Sequence, residues 1–330
     1  MQMKAEKMSI DRRAAIGCIV GSAVGIGAAK AAVRQVKPPI VDTHIHLFDP
    51  TRPQGVPYAG APNLPTAKTG AFPSVYRSIA EPLGVVGAMK IEASPWPEDN
   101  LWALNTIERD DIMLGMIGNL RIELSDFAET LARYSKHPLF RGLRYGNIWG
   151  YDIVAQSRQP VFLEGVRRLA DTGLVLETAN PRLDLLEAMV RIGDAVPNVR
   201  LVLDHMPAFV PMAQEQAKYD ALLRELGARP QIYCKLSAVI KVIDGQTRLD
   251  LAPYKSRLDT LFDTFGENRV MFGSDWPNSD RLAPIVSAVS LARAYFSSKS
   301  YSVQEKYFWR NSKNVYKWTT RSSEQKRLLR

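Results

Sequence analysis

Two of the four histidines stand two residues apart in Val41-Asp42-Thr43-His44-Ile45-His46. Side chains alternate between faces on an extended segment, so both imidazoles point the same way and converge on one site. Neutral imidazoles at that spacing can chelate a divalent cation or stabilise a developing oxyanion. The spacing alone is met equally by two buried structural histidines.

His205 ends the apolar run Leu201-Val202-Leu203-Asp204-His205-Met206-Pro207, and Asp275 ends Val270-Met271-Phe272-Gly273-Ser274-Asp275-Trp276-Pro277. Asp275 is the best candidate for a general base, because a carboxylate near imidazoles or a metal stays ionised and can take a proton from an attacking water. Its alternative role is helix capping. His137 precedes Pro138 in what reads as a loop before a strand, and is expected at the surface.

For the four groups to act together, the elements carrying them must open on one cavity. Short apolar runs at 40–44, 85–91, 113–117, 140–144, 174–177, 199–204, 232–236 and 270–273 read as eight strands. They are nearly continuous in apolar residues rather than alternating, as expected of a parallel sheet covered on both faces. Amphipathic helices are expected between them at 99–109, 125–135, 160–171, 182–195, 213–226 and 253–265, several with Pro or Asp at a helix start. Eight such units imply an α/β fold of the (β/α)8 TIM-barrel kind, a single domain over 38–318. Barrel enzymes place catalytic groups at the carboxyl ends of strands, so His44, His46, His205 and Asp275 are expected to face one cavity. The Pro- and Gly-rich stretch 48–73 exceeds an ordinary connection and reads as a functional loop over one barrel end. A closing helix is expected at 301–317, followed by a solvated basic tail at 319–330.

A net charge of +9 on 330 residues suggests a nucleic-acid partner until the charge is located. Residues 1–31 hold five basic against two acidic side chains, and 319–330 four against one. The body shows interspersed charge and no basic stripe, which argues against nucleic-acid binding. At the amino terminus, Arg12-Arg13 precedes an uncharged, Ala/Gly-rich run at 14–29 and then small residues. That order resembles a twin-arginine export signal over 1–31, which implies a periplasmic protein and no stable membrane partner after cleavage. The apolar run is shorter than the roughly 20 residues that span a bilayer, which weighs against a retained anchor. Cleavage would leave Cys234 as the one cysteine, so no intramolecular disulfide is expected.

The motifs His44-Ile45-His46, Asp204-His205-Met206-Pro207 and Phe272-Gly273-Ser274-Asp275-Trp276-Pro277 resemble those of the amidohydrolase superfamily. More narrowly the chain resembles the amidohydrolase-2 branch of L-fuconolactonase-like, pyrone-dicarboxylate and sulfomuconolactone hydrolases. Ile91-Glu92-Ala93, Arg141-Gly142-Leu143-Arg144, Pro197-Asn198-Val199 and Lys235-Leu236-Ser237 support the likeness, which runs from about Pro38 to Lys317.

The resemblance implies that His44 and His46 act as metal ligands or oxyanion contacts, that His205 orients the substrate carbonyl or completes a metal shell, and that Asp275 activates water. It implies that Arg144 binds an anionic group of the substrate, the alternative being a salt bridge. Glu92 and Glu177 would assist binding or hold the histidines from behind. Trp149 and Trp276 would line the pocket or pack in the barrel. Binuclear members of the superfamily carry a fourth-strand lysine and a fifth-strand histidine, where this chain offers Arg144 and Glu177, so a binuclear centre is not expected. A mononuclear site of His44, His46, His205 and Asp275 holding zinc or manganese and a metal-independent site both stay open, because some lactonases of this branch keep the metal-site sequence and work without a metal. The activity implied is opening of a carboxylated lactone or related cyclic ester in sugar or aromatic-compound catabolism. The alternatives are metal-dependent decarboxylation of an aromatic acid and a noncatalytic exported binding protein.

Overall fold

The computed structural model describes residues 37–57 and 64–329. The expected export signal at 1–31, Cys18 included, lies outside the described residues. Eight parallel strands follow one another around the sheet in sequence order: β1 (Ile40–His46), β2 (Val85–Ile91), β3 (Met113–Gly118), β4 (Phe140–Arg144), β5 (Val175–Glu177), β6 (Arg200–Leu203), β7 (Ile232–Lys235) and β8 (Val270–Met271). Every residue of β1 and β3 is buried, as the unbroken apolar runs require.

The eighth strand is shorter than expected because the Phe272 N–H donates to the Tyr307 carbonyl rather than to a neighbouring strand. The chain beyond it still closes the ring. Thr43 N–H donates to Phe272 O (3.1 Å), Asp275 N–H to His44 O (2.9 Å) and His46 N–H to Trp276 O (2.7 Å). Gly273 permits this approach, since a Cβ there would stand 2.9 Å from that of His44. The fold is thus a (β/α)8 barrel.

Around it lie α1 (Pro73–Ala80), α2 (Asp99–Ile107), α3 (Phe127–Tyr134), α4 (Ile153–Gln156), α5 (Pro160–Asp171), α6 (Leu183–Ala195), α7 (Gln216–Gly227), α8 (Ala252–Phe265) and α9 (Ile285–Phe296). The six helices expected from sequence are present within a few residues, and α1, α4 and α9 are additional. No helix among the described residues is long and apolar enough to cross a membrane. Cys234 is a buried free thiol on β7.

The expected closing helix divides into α10 (Tyr301–Glu305), a π-helical turn (Lys306–Arg310) and α11 (Asn311–Tyr316). Trp309, Val315, Tyr316 and Trp318 pack into the barrel interior against Val41, Met89, Leu114, Val175, Val202 and Met271. At about 25 cal/mol per Å2 and roughly 200 Å2 of ring surface, each tryptophan contributes on the order of 5 kcal/mol before entropy is counted.

The tail differs from expectation: it carries α12 (Ser323–Arg327) and docks on the amino-terminal side of the barrel. Arg321 donates to the carbonyls of Ile107, Glu108, Asp110 and Met113, and the fully buried Gln325 amide donates to Val86 O and Asp111 O. Surface charge in the tail conceals one polar anchor. Gln325→Ala would orphan two carbonyls and lose the cap that Gln325 makes with the Ser322 N–H, so urea unfolding should show a loss of about 1–3 kcal/mol.

Candidate active site

Alternation along β1 places His44 and His46 side by side at its carboxyl end, with Nε2 atoms 3.3 Å apart. His205 follows β6 and Asp275 follows β8, both in the left-handed backbone region (φ 54° and 62°). That conformation costs about 1–2 kcal/mol for a residue with a Cβ, and such positions gather at functional sites. It aims the side chains into the barrel mouth. Asp275 Oδ1 stands 3.3 Å from His46 Nε2, 3.7 Å from His44 Nε2 and 3.8 Å from His205 Nε2. The structure therefore brings together all four residues singled out from sequence. The fourth histidine, His137, lies apart, half-buried against Glu108 at 3.1 Å.

Each group is oriented from behind. His46 Nδ1 donates to the Glu92 carbonyl (3.1 Å), which leaves Nε2 with its lone pair facing the site. His205 Nδ1 is 2.8 Å from Ser237 Oγ, and Asn278 Nδ2 donates to Asp275 Oδ2 (3.0 Å). Asp42, under the seam, accepts from the His44 and Ser274 N–H groups and from the Tyr76 hydroxyl, tying β1 to the segment after β8.

A buried charged layer lies beneath. Lys235 Nζ donates to Glu177 Oε2 (2.7 Å) and lies 3.1 Å from Asp204 Oδ1 and 3.3 Å from His44 Nδ1; the lysine and both carboxylates are fully buried. Tyr316, from the barrel plug, donates to Glu177 Oε1 (2.5 Å). Arg144 Nε donates to Glu92 Oε1 (2.6 Å), Arg144 Nη1 is 3.7 Å from Asp204 Oδ2, and Trp149 Nε1 donates to Glu92 Oε2 (2.7 Å).

Arg144 thus forms an ion pair with Glu92, the alternative weighed for it from sequence, and Glu92 holds both Arg144 and His46. Trp276 is buried against Tyr76, with ring centroids 5.3 Å apart, and is not among the residues lining the neighbouring cavity. Lys235 and Asp204 escaped the sequence reading as site residues. The available signal was a charged residue within a strand run covered on both faces, where burial demands a partner.

Burial pushes the His44 imidazole well below its ordinary pKa, opposed by Asp204 and reinforced by the charges of His205 and Lys235. Burial likewise lowers His205, so both are neutral near pH 7. For Asp275 burial acts upward, but the surrounding imidazoles outweigh it and hold the carboxyl well below the usual carboxylate range. Burial also opposes ionisation of Asp204, and Lys235 and His44 overcome it.

The donor set fits a divalent cation. His44, His46 and Asp275 offer ligand atoms within 4.8 Å of one another, and His205 Nε2 faces the same oxygen. Asp275 Oδ1 is buried with no hydrogen-bond donor among the described residues, the condition of an oxygen that lacks a counter-charge. His44 has two tautomers here. With its proton on Nδ1 facing Asp204 Oδ1 (3.6 Å), Nε2 is free to ligate; with the proton on Nε2, Nδ1 accepts from Lys235.

Removing the lysine should expose the cost of this layer. Lys235→Met leaves two carboxylates buried without their cation and should destabilise the fold by about 3–5 kcal/mol in chemical denaturation. Adding Glu177→Gln should return part of that stability; a double variant no more stable than the single one would contradict the ion-pair account.

A family model described as Amidohydrolase matches residues 41–318. The chain is 28% identical over 225 residues to an L-fucono-1,5-lactonase of Burkholderia ambifaria, covering 64% of this chain and 73% of that protein. It is 25% identical over 279 residues to an L-fucono-1,5-lactonase of Burkholderia multivorans, covering 82% and 92%. Among solved structures, an amidohydrolase from Burkholderia multivorans with bound zinc superposes with a TM-score of 0.74 at 22% identity, over 85% of this chain and 100% of that one, a likeness of fold. The family match runs from the second residue of β1 to the tryptophan that plugs the barrel and includes His44, His46, His205 and Asp275; the chain is an enzyme that belongs to the amidohydrolase family.

Proposed function

We propose that the enzyme opens a lactone by attack of water on the ring carbonyl. The observation that carries this reading is the Asp275 carboxylate, buried with one oxygen among three imidazole Nε2 atoms at the mouth of a cavity. The L-fucono-1,5-lactonase names of two relatives support the same chemistry.

Asp275 Oδ1 accepts a proton from a water held against it, while Asn278 fixes the other carboxylate oxygen and so the direction of attack. As the hydroxide oxygen bonds to the carbonyl carbon, charge moves onto the carbonyl oxygen. His205, with Nδ1 set by Ser237, can present an Nε2–H to that oxygen. The tetrahedral species collapses with cleavage of the ring C–O bond, and the proton on Asp275 passes to the departing alkoxide, leaving a hydroxy acid. We assign zinc or manganese as the ion that His44, His46, His205 and Asp275 would hold; when bound it would polarise the carbonyl as a Lewis acid. The amino-terminal 31 residues we read as an export signal, so the reaction would take place outside the cytoplasm.

Asp275→Asn keeps the shape and removes the base. Lactone turnover, followed with a pH indicator on L-fucono-1,5-lactone and simple δ-lactones, should fall at least about 100-fold with an unchanged circular dichroism spectrum. Undiminished turnover would remove the assignment of the base. Inertness of the wild-type enzyme toward every lactone, with carbon dioxide released from a resorcylate-type acid, would replace hydrolysis by decarboxylation.

A further inference from the structure

A cavity of about 510 Å3 adjoins His205 and Asp275 and is lined by the segments after β7 and β8, by α8 and α9, and by Tyr307. That size accommodates a ligand much larger than a bare lactone ring. Near the catalytic groups its walls are polar: Ser237 is bonded to His205, the Ser274 hydroxyl accepts from the Trp276 N–H and the Asn278 amide donates to Asp275, and Asn180 and Ser279 add further polar groups to this part of the lining. Farther in, the lining comes from Leu258, Leu291, Ala292, Phe296 and two tyrosines. Both tyrosine hydroxyls are taken, Tyr295 donating to Asp259 (3.0 Å) and Tyr307 to the Leu236 carbonyl (3.4 Å). This buried part presents hydrocarbon and ring faces. The exposed Arg281 and half-buried Lys241 mark the solvent side, where they donate to backbone carbonyls.

Against Leu258, Leu291, Ala292, Phe296 and the two engaged tyrosines a polyhydroxylated ring would bury hydroxyl groups with nothing to receive them, whereas an alkyl or aryl substituent would displace water from apolar walls. We propose that this cavity receives an apolar arm on the lactone ring, so that the preferred substrate class is alkyl- or aryl-substituted lactones rather than sugar lactones. The inference rests on the lactonase reading and narrows it. Hydrolysis itself is unchanged: water adds at the carbonyl carbon, the ring C–O bond breaks, and the product is a hydroxy acid whose arm stays in the cavity until release.

The test compares the full-length enzyme on δ-valerolactone, which has no arm, δ-decalactone, which has an alkyl arm, and D-glucono-1,5-lactone, each corrected for spontaneous opening. The expected result is a kcat/KM for δ-decalactone at least about tenfold above the other two. Ala288→Phe, on the α9 wall, should lower the δ-decalactone value about tenfold or more and leave δ-valerolactone within about twofold. If that variant does not fold, inhibition of the wild-type enzyme answers the same question: 5-hydroxydecanoate should bind at least about tenfold more tightly than 5-hydroxypentanoate. Preference for the gluconolactone, an equal effect of Ala288→Phe on both δ-lactones, or equal inhibition constants would overturn the apolar-arm assignment while leaving lactone hydrolysis standing. Inertness toward all three lactones would overturn both.

Discussion

The barrel closes through the residues of its candidate site. Asp275 donates its N–H to the His44 carbonyl, and His46 donates to Trp276, so the backbone bonds that join first and last strands set where the Asp275 carboxylate meets the imidazoles. A slip of one residue along this seam would turn His44 and His46 away from the cavity. Gly273, lying against His44, and Asp42, bonded to both sides of the seam, fix the register. The left-handed conformation at Asp275 is held by the same contacts. The geometry of the candidate site and the integrity of the barrel are therefore one constraint, and a change that loosens the seam should affect both.

Burial of so many polar groups beneath the mouth demands compensation. Lys235 and Arg144 supply the cations, Glu177, Asp204 and Glu92 the anions, and Tyr316 reaches in from the C-terminal plug to complete the shell of Glu177. The layer has an electrostatic consequence. Lys235 opposes protonation of His44 and helps keep Asp204 charged, so the site sets an unprotonated imidazole above an ionised carboxylate. That combination suits both a metal shell and a set of hydrogen bonds to an oxyanion.

Much of this was legible in the sequence. The unbroken apolar runs located all eight strands, because a sheet covered on both faces leaves no polar alternation to confuse the reading. The His44/His46 spacing and the strand-end positions of His205 and Asp275 picked out four residues that the structure gathers at the barrel mouth. What escaped depended on contacts between distant segments. Lys235 looks like any lysine at a strand end until Glu177 and Asp204 are brought beside it. Arg144 reads equally as an anion receptor and as a salt-bridge former, and the position of Glu92 across the barrel decides which contact it makes. The tail at 319–330 looked solvated because its charges are surface charges, while Gln325, the residue that docks it, is an unremarkable amide in sequence. The short eighth strand follows from the capture of the Phe272 N–H by a helix some thirty-five residues later in the chain.

The claim on which the account stands is that the lactone carbonyl sits between Asp275 and the three imidazoles. A crystal structure of Asp275→Asn with an unreacted lactone tests it directly. The account predicts the carbonyl carbon beside residue 275, the carbonyl oxygen turned toward His205 Nε2, and the ring within the barrel mouth. A lactone bound with its carbonyl away from the imidazoles would contradict it.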